Sequence, residues 1–330
     1  MWKHKQFSLR DIGIEGMYSI ESIPSIPLDR ICIVDAKLHV LLSSFCTVRC
    51  SFTVESQVDR GSYGNLFIVK RNGETVLAKQ PRLAEMNLLQ EAVLQHLAST
   101  TLATYGCSWC IPKVLDVFWN DKKIWFSMEK IHGVSVEKWF STSSSPDHDF
   151  FLFLAHVSLV LACLETELGL DHRDMKADNL LLVDKPCKIS LRLYENVYTL
   201  ICPFQIILLD FGFACLGSKE KGGIAVVNLG DGVLPPLDPC PKEGRDLFQL
   251  LVSLLRLPSI QSRLSKKTHD LIDSWLTVGS KQYGQMARRW STENWTYLVA
   301  SQTQFQIPSC CPIAILKAIK PYLQGSLSSE

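Results

Sequence analysis

His172-Arg173-Asp174-Met175-Lys176-Ala177-Asp178-Asn179 is the stretch from which the rest of the chain can be read. A carboxylate, a lysine two residues on and an amide five residues on form a phosphoryl-transfer set. Asp174 can accept the proton of an attacking hydroxyl, Lys176 can neutralise charge on a moving phosphoryl group, and Asn179 can hold a magnesium ion. The plainer reading, a charged loop after a buried helix, is countered by the residues downstream. Ile206 to Leu209 reads as a short apolar strand that delivers Asp210-Phe211-Gly212, where the carboxylate can bridge magnesium to the β- and γ-phosphates of ATP. Such a tripeptide says little alone; in this order, and after an apolar strand, it says much.

Upstream, Asp59-Arg60-Gly61-Ser62-Tyr63-Gly64-Asn65-Leu66 puts Gly61 and Gly64 where backbone amides can cover a triphosphate between two strands. Two glycines in a turn are more often a plain hairpin, so the weight rests on the charged residues beyond them. Val76-Leu77-Ala78-Lys79 ends a strand with a lysine able to grip the α- and β-phosphates. Glu91, twelve residues on and on an expected helix, is its natural ion-pair partner, with Glu85 as the second choice. Each charge alone would be an ordinary solvated one; their order carries the argument.

With these motifs in place, the sequence resembles the eukaryotic-type serine/threonine protein kinases from about Val58 to about Leu255. The resemblance implies ATP and Mg2+ as cofactors, Asp174 and Lys176 as catalytic residues, and Asn179 and Asp210 as metal ligands. It further implies that Gly61, Gly64, Lys79 and Glu91 serve the nucleotide, that Met128 is the gatekeeper, and that Glu129 to Ile131 form the adenine-binding hinge. Asp246 would be the carboxylate at the start of a helix that braces the catalytic loop. The implied fold is α+β and bilobal: an antiparallel sheet with one helix, then a mainly helical lobe. Lys176 is the variant typical of serine/threonine enzymes, so protein substrates bearing Ser or Thr are expected. A pseudokinase scaffold and a kinase-fold enzyme acting on a small molecule are the alternatives.

The sequence also departs from the family. Asp59 stands where a first loop glycine is usual, and Leu66 replaces a valine. Thirty residues separate Asn179 from Asp210, and LRLYENVYTLICPFQ within them suggests an inserted hairpin. No Ala-Pro-Glu precedes Asp246; Pro235-Pro236-Leu237-Asp238-Pro239 occupies that region. Between Phe213 and Arg245 the only hydroxyl side chain is Ser218, which predicts activity independent of phosphorylation in this loop. Compact activation segments of this kind resemble those of kinases encoded by large DNA viruses.

Pattern and composition bound the remainder of the chain. Residues 1–53 hold apolar stretches without a chemical motif and read as an amino-terminal extension, 54–128 as the sheet-rich lobe and 129–330 as hinge and helical lobe. Strands are expected over Leu66 to Val69, Thr75 to Ala78, Val114 to Trp119 and Ile124 to Met128, with a helix over Leu83 to Leu97. Phe140 to Asp149 reads as a polar surface loop before a buried apolar helix, LFQLLVSLL at 247–255 as a core helix, and 324–330 as a frayed end. Thirty-four basic and 33 acidic residues leave a net charge of +1, so no global field points to nucleic acid or an anionic membrane. The first ten residues lack an apolar signal region and the longest apolar run, Phe150 to Leu164, is short for a bilayer, so an intracellular protein, cytoplasmic or nuclear, is expected. If virus-encoded, it would work inside the host cell. Twelve cysteines then read as reduced thiols; Cys107 and Cys110 form one CxxC, with Cys46 and Cys50 upstream, but zinc needs four correctly placed ligands.

Overall fold

A computed structural model describes residues 52–60, 64–71, 73–82, 88–120, 123–216, 241–289, 294–302 and 305–329. Gly61, Glu85, Ser218, Pro235 to Pro239, and all of the amino-terminal extension except its last two residues lie outside them.

The chain opens with β1 (Phe52–Arg60), β2 (Gly64–Arg71) and β3 (Glu74–Pro81), then helix α1 (Leu89–Ala103), then β4 (Val114–Asn120) and β5 (Lys123–Met128). These strands form one antiparallel sheet in the order β1-β2-β3-β5-β4. Side chains alternate across a strand, so the sheet has two apolar faces. On one, Val69, Val76, Ala78 and Trp125 form a small separate cluster, with Phe67 stacked on Trp125 at 5.6 Å. On the other, Val114, Val117 and Phe126 join the main core with Ala92, Val93, Leu94, Leu97, Ala98 and Leu102 of α1. That packing carries α1 six residues past the Leu97 expected from periodicity.

A helix-rich region comes next. After the short β6 (Val134–Ser135) come α2 (Val136–Thr142) and α3 (Pro146–Leu168), so only residues 143–145 of the expected 140–149 loop are non-helical. The Ser-rich stretch is interrupted by Phe140, which is fully buried against Phe150 and Phe153. Ser135 caps α2 and Pro146 starts α3, so the polar residues punctuate two helices. At 23 residues α3 extends beyond the fifteen-residue apolar run Phe150 to Leu164 and is long and apolar enough to cross a membrane by length and composition; 83% of its apolar window is buried inside the protein, as expected of a buried helix.

Beyond it lie β7 (Leu170–Asp171), β8 (Leu180–Val183), the hairpin β9 (Cys187–Leu193) and β10 (Asn196–Cys202), then β11 (Gln205–Leu208) and β12 (Cys215–Leu216). The hairpin turns through Tyr194, at φ 56°, and is the insert expected from the long interval before Asp210. Helices α4 (Arg245–Leu254), α5 (Pro258–Arg263), α6 (Lys266–Trp275), α7 (Tyr283–Arg289), α8 (Asn294–Ser301) and α9 (Pro312–Ile319) complete the region, with the small β13 (Thr277–Val278) and β14 (Lys281–Gln282) between α6 and α7. The final strand β15 (Leu327–Ser329) pairs with β10 and buries Leu327, so these three residues are held where a frayed end was expected. The α+β class expected from the sequence is therefore observed: a five-stranded antiparallel sheet followed by a helix-rich region. Seven described cysteines carry thiols, as expected; Cys215 is the exception and is disulfide-bonded.

Candidate active site

A cavity of about 320 Å³ lies between the sheet and the helix-rich region. Leu66, Leu77, Met128 and Leu181 supply apolar walls, while Lys79, Glu91, Asn179 and Asp210 supply charge and hydrogen-bonding groups. Glu129 and Ile131, expected at the hinge, also line it, as does Gly64.

Lys79 leaves β3 pointing inward and is buried, and its Nζ donates to Glu91 Oε1 of α1 at 2.6 Å and to Asp210 Oδ1 at 2.9 Å. Residues twelve and 131 positions away in sequence are thus joined on one ammonium. Burial opposes the charge on Lys79, but the two carboxylates outweigh it and hold the group protonated above its ordinary range. Burial likewise opposes ionisation of Asp210, yet Lys79 and the Gly212 amide, which donates to Oδ1 at 3.2 Å, keep its carboxyl well below the usual range. Burial pushes Glu91 up to about 7 against the pull of Lys79, and its Oε2 is buried without a hydrogen-bond partner. Gly64 sits directly over this lysine: a Cβ there would stand 2.9 Å from Lys79 Cε and 3.0 Å from the Gln80 carbonyl oxygen, so the close approach requires glycine.

The 172–179 segment lies beside this cluster. Lys176 Nζ donates to Asp174 Oδ2 at 2.9 Å, and Asn179 Nδ2 donates to the Asp174 carbonyl at 2.8 Å and to Oδ2 at 3.0 Å. Anchored through its nitrogen, the Asn179 amide turns its oxygen away from Asp174. The segment is held by Asp246 in the first turn of α4, which accepts from the backbone amides of His172 at 2.7 Å and Arg173 at 2.8 Å. His172 Nε2 donates to the Leu209 carbonyl at 2.9 Å, with its ring edge-on to Phe211. Among the described residues only Arg173, Tyr194 and Asp210 are non-glycine residues at positive φ, so two of the three strained positions lie here. Asp171 is held by Arg245 at 2.9 Å and the Lys242 amide at 2.7 Å; burial still pushes its carboxyl up to about 6.

One group was not legible in the sequence. The hydroxyl of Tyr297, on α8, donates to Asp174 Oδ1, with Phe213 packed against the same ring at 6.0 Å. No motif surrounds Tyr297, and 123 residues separate the two partners. Leu77, Leu181 and Gln95 were also missed as lining residues; Gln95 donates to Met128 Sδ at 3.5 Å and to the Pro112 carbonyl at 2.8 Å, fixing that wall.

The donor chemistry suits a hard divalent cation. The carboxylate of Asp210 and the amide oxygen of Asn179, both residues lining the cavity, are oxygen ligands of the kind magnesium takes. Lys79 is placed to meet an anion between them.

No family model matches the chain. The chain is similar to "Probable kinase 098L" of Invertebrate iridescent virus 3, 24% identical over 125 residues, or 38% of this chain and 23% of that relative. The chain thus covers about a quarter of that relative's length. This distant and partial similarity points to kinase-like function.

Proposed function

We propose that the protein is an ATP-dependent kinase that transfers the γ-phosphate to serine or threonine hydroxyls of protein substrates. The observation that carries the reading is the convergence of Lys79, Glu91 and Asp210 on one buried contact at the wall of a cavity that also holds Asn179. A lysine held charged by two carboxylates is suited to a polyphosphate, and ion-pairing to Glu91 fixes where its ammonium points. The apolar walls at Leu66, Leu77 and Leu181 fit a planar base, with Met128 behind it and the Glu129 to Ile131 backbone at its edge. Magnesium, held by Asp210 and Asn179, would supply charge neutralisation across the β- and γ-phosphates.

Asp174 then orients an incoming hydroxyl and takes its proton, and Lys176, already on the Asp174 carboxylate, offsets the charge on the transferring group. Residues 54–128 would form one lobe and 129–330 the hinge and second lobe of a kinase-like bilobal fold, closing on the nucleotide. The partners would be Ser- or Thr-bearing proteins rather than nucleic acid or membrane, met inside a cell, a host cell if the chain is viral.

One observation favours a second reading. Tyr297 already occupies Asp174 Oδ1, as a scaffold that does not turn over would allow. The deciding experiment is γ-phosphate transfer from Mg-ATP to a mixed protein panel by wild type, Asp174→Asn and Lys79→Met, with the phosphorylated amino acid identified. Phosphoserine or phosphothreonine, reduced about 10²–10⁴-fold by Asp174→Asn, supports the lead reading. Tight Mg-ATP binding without transfer to protein favours the scaffold, and transfer only to small alcohols favours a small-molecule enzyme.

A further inference from the structure

Away from this cavity, a second cluster uses none of its residues. The 3₁₀ turn Ser108–Cys110 follows α1 and carries the second cysteine of the CxxC. Its Sγ lies 3.9 Å from Nε2 of His156, which projects from the middle of α3. The hairpin β9–β10 brings Cys187 and Cys202 directly opposite each other in register, and their Sγ atoms and a His156 ring nitrogen all lie within 4.8 Å of one another. The turn after α1, helix α3 and the β9–β10 hairpin therefore meet at His156, with Cys187 and Cys202 within 4.8 Å of a ring nitrogen and Cys110 at 3.9 Å from Nε2, and none of the four side chains is exposed.

We infer that Cys110, His156, Cys187 and Cys202 form a structural zinc site. Three thiols and one imidazole are a common tetrahedral zinc set. Around a bound zinc such atoms stand about 3.5–3.8 Å apart, so the site closes by side-chain rotations that draw the sulfurs inward. His156 is the independent pointer. It is 0% exposed, its Nδ1 has no hydrogen-bond partner and its Nε2 meets only the Cys110 sulfur at 3.9 Å, so the ring is buried without a strong polar partner at either nitrogen, an expensive arrangement that ligation through one of them would relieve.

Cys107 itself bonds the Tyr105 carbonyl at 3.5 Å and is left as a neighbour of the site rather than a ligand. Metal binding displaces one proton from each ligating thiol, and the resulting three thiolates and neutral imidazole leave the centre with one net negative charge. The role is mechanical. The site fastens the insert between Asn179 and Asp210 to α3 and to the turn that follows α1, the helix carrying Glu91. It stands or falls independently of the phosphoryl-transfer reading.

The test is metal content of the full chain, expressed with zinc and purified under reducing conditions without chelator. About one zinc per chain is expected in wild type, with Cys107→Ser and Cys311→Ser retaining it and Cys110→Ser, His156→Asn, Cys187→Ser and Cys202→Ser each losing most of it. Replacement by cobalt should give the visible spectrum of a tetrahedral site with three thiolates and one imidazole, and a strong chelator should lower the melting temperature of wild type. Zinc-free wild type, or a Cys187 to Cys202 disulfide found in it by mass, overturns the proposal without any variant. So does zinc that survives His156→Asn but not Cys107→Ser.

Discussion

At the scale of single residues, the site depends on a few hydrogen bonds with unequal consequences. Asp246 satisfies two buried backbone amides at once, those of His172 and Arg173. Asp246→Ala orphans both and should cost about 2–4 kcal/mol in urea unfolding, while Asp246→Asn, which keeps one acceptor, should cost less. Tyr297 poses a different question, because its hydroxyl sits on the oxygen that an incoming substrate hydroxyl would need. If transfer from ATP is established, Tyr297→Phe should raise its rate several-fold with little change in stability; a fall would mean that Tyr297 orients Asp174 instead. Asp174, Lys176, Asn179 and Asp210 could be picked out as candidates because the proposed chemistry would require fixed local spacings. Tyr297 was not, because a single tyrosine in an ordinary helix carries no local signature of the carboxylate it meets.

Elements were legible where one face had to be buried and illegible where burial came from afar. The strands flanking α1 announce themselves through short apolar runs between turn residues. The stretch around Ser143 misled because local composition counts serines, whereas Phe140 is held by two aromatic rings of α3. The carboxyl-terminal strand was missed for the same reason: its backbone partner is β10, more than a hundred residues upstream. Helix α4 shows how a junction can constrain one position. Gly244, at φ 75°, precedes it, and a Cβ there would stand 2.1 Å from the Ile307 carbonyl oxygen. Gly244→Ala should therefore cost about 2 kcal/mol or more in thermal or urea melts, from both the left-handed backbone and the clash. Gly279→Ala, also at positive φ but with nothing within 4 Å, should cost less.

For the whole molecule, α3 is the axis of the core. It contacts α1, α9 and the β9–β10 hairpin, and Phe150, Phe153, Leu154 and Leu161 along it are buried. Phe153→Ala should lower stability by about 3–5 kcal/mol through lost contacts and a cavity. The same core imposes a pH dependence. His172 is fully buried and its pKa is lowered, by burial above all. The unfolded chain takes up a proton at this ring near pH 6.5 while the folded protein does not, so its contribution is intact above about pH 7 and lost as pH drops. Glu91 and Asp171, pushed up to about 7 and about 6, act in the opposite direction over the same range because the folded protein binds their protons first. The change in urea midpoint from about pH 7.5 to about pH 5 should therefore be less destabilising in His172→Gln than in wild type. By itself the sequence determined the α+β order of strands and helices and the residue types around Asp174 and Asp210, since periodicity and reaction chemistry both act over a few residues. Only the tertiary structure decided that Asp210 shares the Lys79 ammonium with Glu91, that Tyr297 meets Asp174 and that Cys110, Cys187 and Cys202 gather around His156. Those contacts join groups far apart in sequence, and only the packing of α1, α3, α8 and the inserted hairpin brings them within a few ångströms.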